Sequence, residues 1–248
     1  MEIITFFILL FGGFFAAFYA SMVGGMGFVT LPLLIFFGLP LPIAIGTNRL
    51  VSLMMDTAAS VKFYLHGQLF LKISLLIGTV VCIGSFFGAQ LIIFFSQQEL
   101  RYFTVAVLVL AFIFNIYSQK ITTQIYVLNS KKHIILGIIA LLLLGLYGGI
   151  IGIAFGTLIV LVPALFGYNF VQAAGMARVA GVMMSLTSTY VFVTQHIIDY
   201  SYALPMVIGV ILGSWFGISF GIKREGKYIK FILSLVLLAS IIQILFFL

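Results

Sequence analysis

The chain has 248 residues, of which 64% are apolar, 16% aromatic and only 7% charged, with a formal net charge of +7. A soluble domain carries about a quarter charged residues, so there is too little polar surface here to cover a globule in water, and lipid must be the solvent. The basic residues sit mostly in short breaks between apolar runs, as orientation signals do, which leaves no basic patch for nucleic acid.

A spanning helix needs about 20 apolar residues, and suitable runs fall near 3–38, 43–65, 70–95, 101–118, 133–167, 171–194, 201–222 and 228–248. Stretches such as IILGIIALLLLGL (134–146) lack the alternating polarity of a β-barrel strand. The expected fold class is an all-α polytopic membrane protein. Glu2 has the wrong sign for a signal peptide, so MEIITFFILL reads as a first membrane segment that is retained. Cys82, the single cysteine, reads as small apolar filler, and no disulfide or CxxC pair can form within the chain.

The longest polar interval, QKITTQIYVLNSKK at 119–132, lies at the midpoint. It divides the chain into a first transmembrane repeat (1–118), a connecting loop (119–132) and a second repeat (133–248). GSFFG (84–88) returns as GSWFG (213–217), Gly46 and Arg49 return as Gly175 and Arg178, and Arg101-Tyr102 returns as Lys230-Phe231, each displaced by 129 residues. Three matches at one displacement indicate an internal duplication of four apolar segments per half.

The first run of each half is broken: GGMGF (24–28) and Pro32 interrupt 3–38, and GGIIGIAFG (148–156) and Pro163 interrupt 133–167. Broken backbone inside a bilayer must face protein or a water-filled cavity, and matching broken segments in two halves point to a transporter's binding site. If each broken run crosses once, the cations split evenly between the two sides. If each turns back, the halves are inverted, and Lys62, Lys72, Lys120, Lys131, Lys132, Lys223, Arg224, Lys227 and Lys230 share one side, with Arg101 opposite. The second arrangement obeys the positive-inside rule, so inverted repeats with both termini outside are expected.

Arg49, Ser52, Asp56 and Ser60 share one face of the 43–65 helix, and Arg178, Gly181, Ser185 and Thr189 form the equivalent stripe. A central arginine is expensive in a bilayer and marks function unless it snorkels to headgroups. Two guanidinium forks facing one cavity suit an oxyanion such as a carboxylate, sulfonate or sulfite. Thr47 and Asn48 add polar groups beside Arg49, while Gly24, Gly25, Gly27, Gly152 and Gly156 permit close backbone approach. Asp56, the one acidic residue well inside an apolar run, is a candidate carrier of a coupling proton, or else a structural partner of Ser52 or an arginine. His66, His133 and His196 fall at run ends, and Asp199 reads as solvated. No HExxH or GxSxG motif or carboxylate pair occurs, so no catalytic residue, metal site or cofactor is expected.

These features resemble the sulfite exporter TauE/SafE family of membrane permeases. GGMGFVTLP, AIGTNRL, YLHGQL and IGSFFGAQL carry the likeness in the first half, and GGIIGIAFGTLIVLVP, AAGMARV, TQHIIDYSYALP and LGSWFGISF carry it in the second. The resemblance implies transport of small sulfur-containing or organic anions across a prokaryotic plasma membrane, driven by a proton or sodium gradient. It places substrate contacts at Gly46, Thr47, Asn48 and Arg49, and at Gly175 through Arg178. Met176 and Ala177 stand where a Thr-Ser or Thr-Asn pair would be expected. An anion-permeable channel and a non-transporting membrane scaffold are the alternatives.

Overall fold

The computed structural model describes residues 2–96, 131–153 and 155–223, with residues 98–100, 102, 103, 105, 106 and 109 between the first two blocks. The elements are α1 (Ile3–Val23), α2 (Gly27–Phe36), α3 (Leu41–Leu65), α4 (Leu71–Leu91), α5 (Lys131–Ile150), α6 (Phe155–Ile159), α7 (Leu161–Leu165), α8 (Phe170–Thr194) and α9 (Tyr200–Lys223). There is no strand among the described residues. Ile3–Ser21, Leu71–Phe94, Val171–Thr194 and Tyr200–Gly221 are each long and apolar enough to cross a bilayer. The protein is an all-helical, multi-pass membrane protein. The runs near 101–118 and 228–248, the 119–132 loop and the Arg101-Tyr102/Lys230-Phe231 match lie wholly or largely outside the described residues.

Local chemistry sets the helix starts. Pro42 stands in the first turn of α3, where a missing N–H costs nothing. A capping box opens α8: Asn169 Oδ1 accepts from the Gln172 N–H at 2.9 Å, and Gln172 Oε1 accepts from the Asn169 N–H at 3.2 Å. Asp199 is not simply solvated, because its Oδ1 accepts from the Ser201 and Tyr202 N–H groups and so caps α9.

The two broken runs turn back. Gly24 ends α1 at φ 87° and ψ −173°, and Gly152 follows α5 at φ 65°. Beyond the first break α2 folds along α1, bringing Leu33 against Gly12; beyond the second, Phe166 comes back against Gly137. Pro32 and Pro163 lie inside the returning helices α2 and α7.

Glycine seams join the helices. The backbone of Leu10, Phe14 and Phe18 meets Gly209, Gly213 and Gly217, so α1 and α9 run parallel. The backbone of Leu142 and Leu146 meets Gly84 and Gly88 in the same way, so α4 and α5 run parallel. Small residues let bilayer helices approach to backbone contact. A Cβ at Gly88 would fall on the Leu146 carbonyl, and one at Gly217 on the Phe18 carbonyl. Gly88→Val and Gly217→Val are each expected to destabilise the protein by about 1–3 kcal/mol or more through overpacking, read as a lower melting temperature in detergent.

At the centre α3 and α8 pack antiparallel. Gly46, near the start of α3, lies under Ile197 in the turn after α8, and Gly175, near the start of α8, lies under Gln68 in the turn after α3. Those turns share a backbone: Gly67 (φ 67°) and His196 (φ 57°) are both left-handed, and Gln68 N–H to Phe63 O and Ile197 N–H to Phe192 O are both 3.1 Å. At the tip of α3, Lys62 Nζ sits 4.3 Å above the Trp215 ring of α9.

Candidate functional site

Arg49 and Arg178 are each the ninth residue of their helix, about 12 Å from its start at 1.5 Å per residue. Neither reaches toward headgroups: Arg49 is 3% exposed and Arg178 2%. Both line one cavity with Gly25, Met26, Gly27, Gly152, Gly156 and Asp56, between the two chain breaks. Ser52, on the same stripe of α3, also lines it. The cavity measures about 30 Å³, room for about two waters.

Arg178 has no acidic residue in its own apolar run and finds one in the other half. Its Nη1 donates to Asp56 Oδ1 at 2.8 Å, an ion pair that joins α8 to α3. Gly181 makes the space, since a Cβ there would collide with the Asp56 carboxylate. Asp56 therefore partners Arg178 across the interface; Arg49, two turns away on its own helix, goes elsewhere. Arg49 Nη2 donates to the carbonyls of Gly148 and Ile151, the latter at 3.0 Å. Those carbonyls end α5, where the helix dipole is negative and acceptors lack intrahelical partners. Arg178 Nε, Arg178 Nη2, Arg49 Nε and Thr157 Oγ1 are buried without a hydrogen-bond partner among the described residues.

Some expected site residues serve packing instead. Gly46 and Gly175 do not line the cavity; each lets a neighbouring turn cross against backbone, where a side chain would strike Ile197 or Gln68. Thr47 is fully buried, and its Oγ1 accepts from the Asp199 N–H at 2.9 Å, pinning the start of α9. Asn48 Oδ1 accepts from Thr30 Oγ1 at 2.5 Å and so ties α3 to α2. Gly24 stands behind the cavity, where its Cα meets Gly156. Met26, Met55, Phe155 and Met184 form much of the apolar wall, and nothing in the sequence marks them for that role. Methionine in a membrane helix carries no signal apart from adaptable packing.

A family model described as Sulfite exporter TauE/SafE matches residues 9–244. The chain belongs to the TauE/SafE family. Among curated proteins it is similar to the probable membrane transporter protein YdhB of Bacillus subtilis (strain 168), 27% identical over 207 residues that cover 79% of this chain and 82% of the relative. A probable membrane transporter protein of Haemophilus influenzae is 26% identical over 219 residues, covering 87% and 84% of the two chains. A third relative, ORF9 of Sinorhizobium sp., carries the same description at 24% identity over 242 residues, covering 94% and 89%. No solved structure matches the chain. TauE/SafE membership and these relatives, each described as a probable membrane transporter, support a role in membrane transport.

Proposed function

We propose that this protein is a secondary transporter that carries small organic or sulfur-containing anions, sulfite- or sulfonate-like, across a prokaryotic plasma membrane by alternating access. The observation that carries the reading is the charge of the cavity: among the described residues, two buried guanidinium groups face it with one carboxylate. Removing an ion from water costs several kcal/mol unless it is compensated, and an entering anion supplies the missing charge.

Inverted halves give alternating access its geometry. The matched helices α3 and α8 run antiparallel, as two halves related by a twofold axis in the membrane plane require. Following the same helix directions, Lys62, Lys72, Lys131, Lys132 and Lys223 fall at one end of the bundle, which supports a cytoplasmic location for that end. The small cavity favours a carrier over an open pore, which needs a continuous water path.

Asp56 is the proposed coupling residue. An anion at Arg178 adds a second negative charge beside the Asp56 carboxylate, so anion and proton favour each other's binding, and linkage makes that coupling reciprocal. The test is uptake of labelled sulfite, sulfoacetate and related anions into proteoliposomes, with and without a pH gradient. Saturable accumulation against the anion's own gradient is the expected result. Flux that only dissipates a gradient would mean a channel, and no movement of any anion would leave a scaffold.

A further inference from the structure

We propose that the two arginines divide the work: Arg178 grips the substrate oxyanion through its Nε–Nη2 edge, beside the positive end of α2, whereas Arg49 is a positioning residue that clamps the break after α5. This rests on the anion-transport reading above and assigns roles within it.

The hydrogen bonds separate the two side chains. Arg49 Nη2 is already occupied by the carbonyls of Gly148 and Ile151, and Gly152 is bare so that both Nη atoms fit against the break. A guanidinium there acts as a cap on the end of α5. Arg178 is held differently. Asp56 takes Nη1 and fixes the plane of the group, which leaves Nε and Nη2 without partners among the described residues at 2% side-chain exposure. Nε and Nη2 donate in parallel from one edge, the arrangement that engages two oxygens of a carboxylate or sulfo group at once.

What surrounds that edge fits an anion. Nη2 lies over Gly156, where a Cβ would stand 2.7 Å from it and 3.0 Å from Gly24 Cα, so side chains are excluded from both strands of backbone. Gly25, Met26 and Gly27 of the same cavity wall form the start of the ten-residue helix α2. The Phe28 and Val29 N–H groups of this turn already donate to the Gly25 and Met26 carbonyls, so what the start of α2 offers an oxyanion is the positive end of its dipole. Thr157 Oγ1, another buried hydroxyl without a partner, lies 3.5 Å from where a Cβ on Gly25 would be. The ligand class is a small anion with two oxygens on one centre; chloride has only one contact point and loses the benefit of the fork. In this arrangement the cavity admits the anionic head alone.

The experiment compares Arg178→Lys with Arg49→Lys in proteoliposomes, with labelled sulfite as the probe and methanesulfonate, acetate and chloride as competitors. A lysine at 49 still donates to the α5 carbonyls, so its KM for sulfite should stay within about threefold of wild type while the maximal rate changes. A lysine at 178 keeps the charge and the Asp56 contact but loses the fork, and KM should rise by about tenfold or more. Methanesulfonate and acetate should compete in the wild type, and chloride should not. Melting in detergent serves variants that transport too little: sulfite should raise the melting temperature of wild type and of Arg49→Gln, but not of Arg178→Gln. Equal rises in KM for the two lysine variants, or a larger one for Arg49→Lys, would overturn the division of labour while leaving anion transport standing. A wild-type protein that neither transports nor is stabilised by any of these anions removes the transport reading and this assignment together.

Discussion

Asp56→Asn is expected to give a folded, inserted protein whose anion uptake no longer responds to an imposed pH gradient. The amide keeps an oxygen where Oδ1 now accepts from Arg178 Nη1 at 2.8 Å, so the guanidinium plane and its free edge stay in place. It binds no proton, so the link between proton and anion is cut. Asp56→Ala is a different experiment. Both variants remove the counter-charge of Arg178, but alanine removes the acceptor oxygen as well. The buried guanidinium then loses its hydrogen bond too, and the full cost of a buried ion pair broken from one side, about 3–5 kcal/mol, applies. The alanine variant should therefore show a much lower melting temperature or fail to accumulate in the membrane. Measuring labelled sulfite uptake at matched protein levels, with and without an inward proton gradient, separates the two effects. If Asp56→Asn still concentrates the anion on a pH gradient alone, the coupling proton rides elsewhere.

The parts of this site that could be read from the sequence are those in which one residue type is costly in its setting. Arg49, Arg178 and Asp56 are charges in apolar runs, and the glycines at 24, 25, 152 and 156 are helix breakers where lipid demands helix, so composition alone points to them. An arginine partner for Asp56 is legible in the sequence, but not that it is Arg178. The ion pair joins positions 122 residues apart, and Asp56 has only Ser185 as its counterpart, so neither periodicity nor the duplication suggests the pairing. Gly46 and Gly175 mislead for the opposite reason. A glycine beside an arginine looks the same in sequence whether it makes room for a ligand or for a crossing turn, and here it is the turns at Ile197 and Gln68. The spacing between matching residues of the sequence is less regular at the breaks than in the seams. Gly24 and Gly152 are separated by 128 residues, Pro32 and Pro163 by 131, and the seam glycines Gly84/Gly213 and Gly88/Gly217 by 129. The second break is thus the longer one, and it is the break that Arg49 clamps.

Gly24→Ala is expected to abolish the folded protein, although it adds one methyl group at a position that does not line the cavity. Two independent penalties meet there. The backbone at φ 87° and ψ −173° lies in a region open essentially to glycine alone, and holding another residue there costs about 1–3 kcal/mol. The added carbon would also collide with the Gly156 carbonyl carbon and the Thr157 nitrogen, and would stand 2.8 Å from Gly156 Cα. These are backbone atoms of the other broken segment, which cannot rotate away as the end of a side chain can. Relief requires the two breaks to move apart, and that separates the α2 N-terminus from Gly156 and the Arg178 edge. Gly38→Ala is the control, because Gly38 has the same φ of 87° but nothing within 4 Å of an added Cβ. It carries the left-handed strain alone, about 1–2 kcal/mol. Membrane yield and melting temperature should fall modestly for Gly38→Ala and collapse for Gly24→Ala. Equal, mild effects at both positions would show that the two broken segments are free to separate, and a site built on their contact would lose its frame.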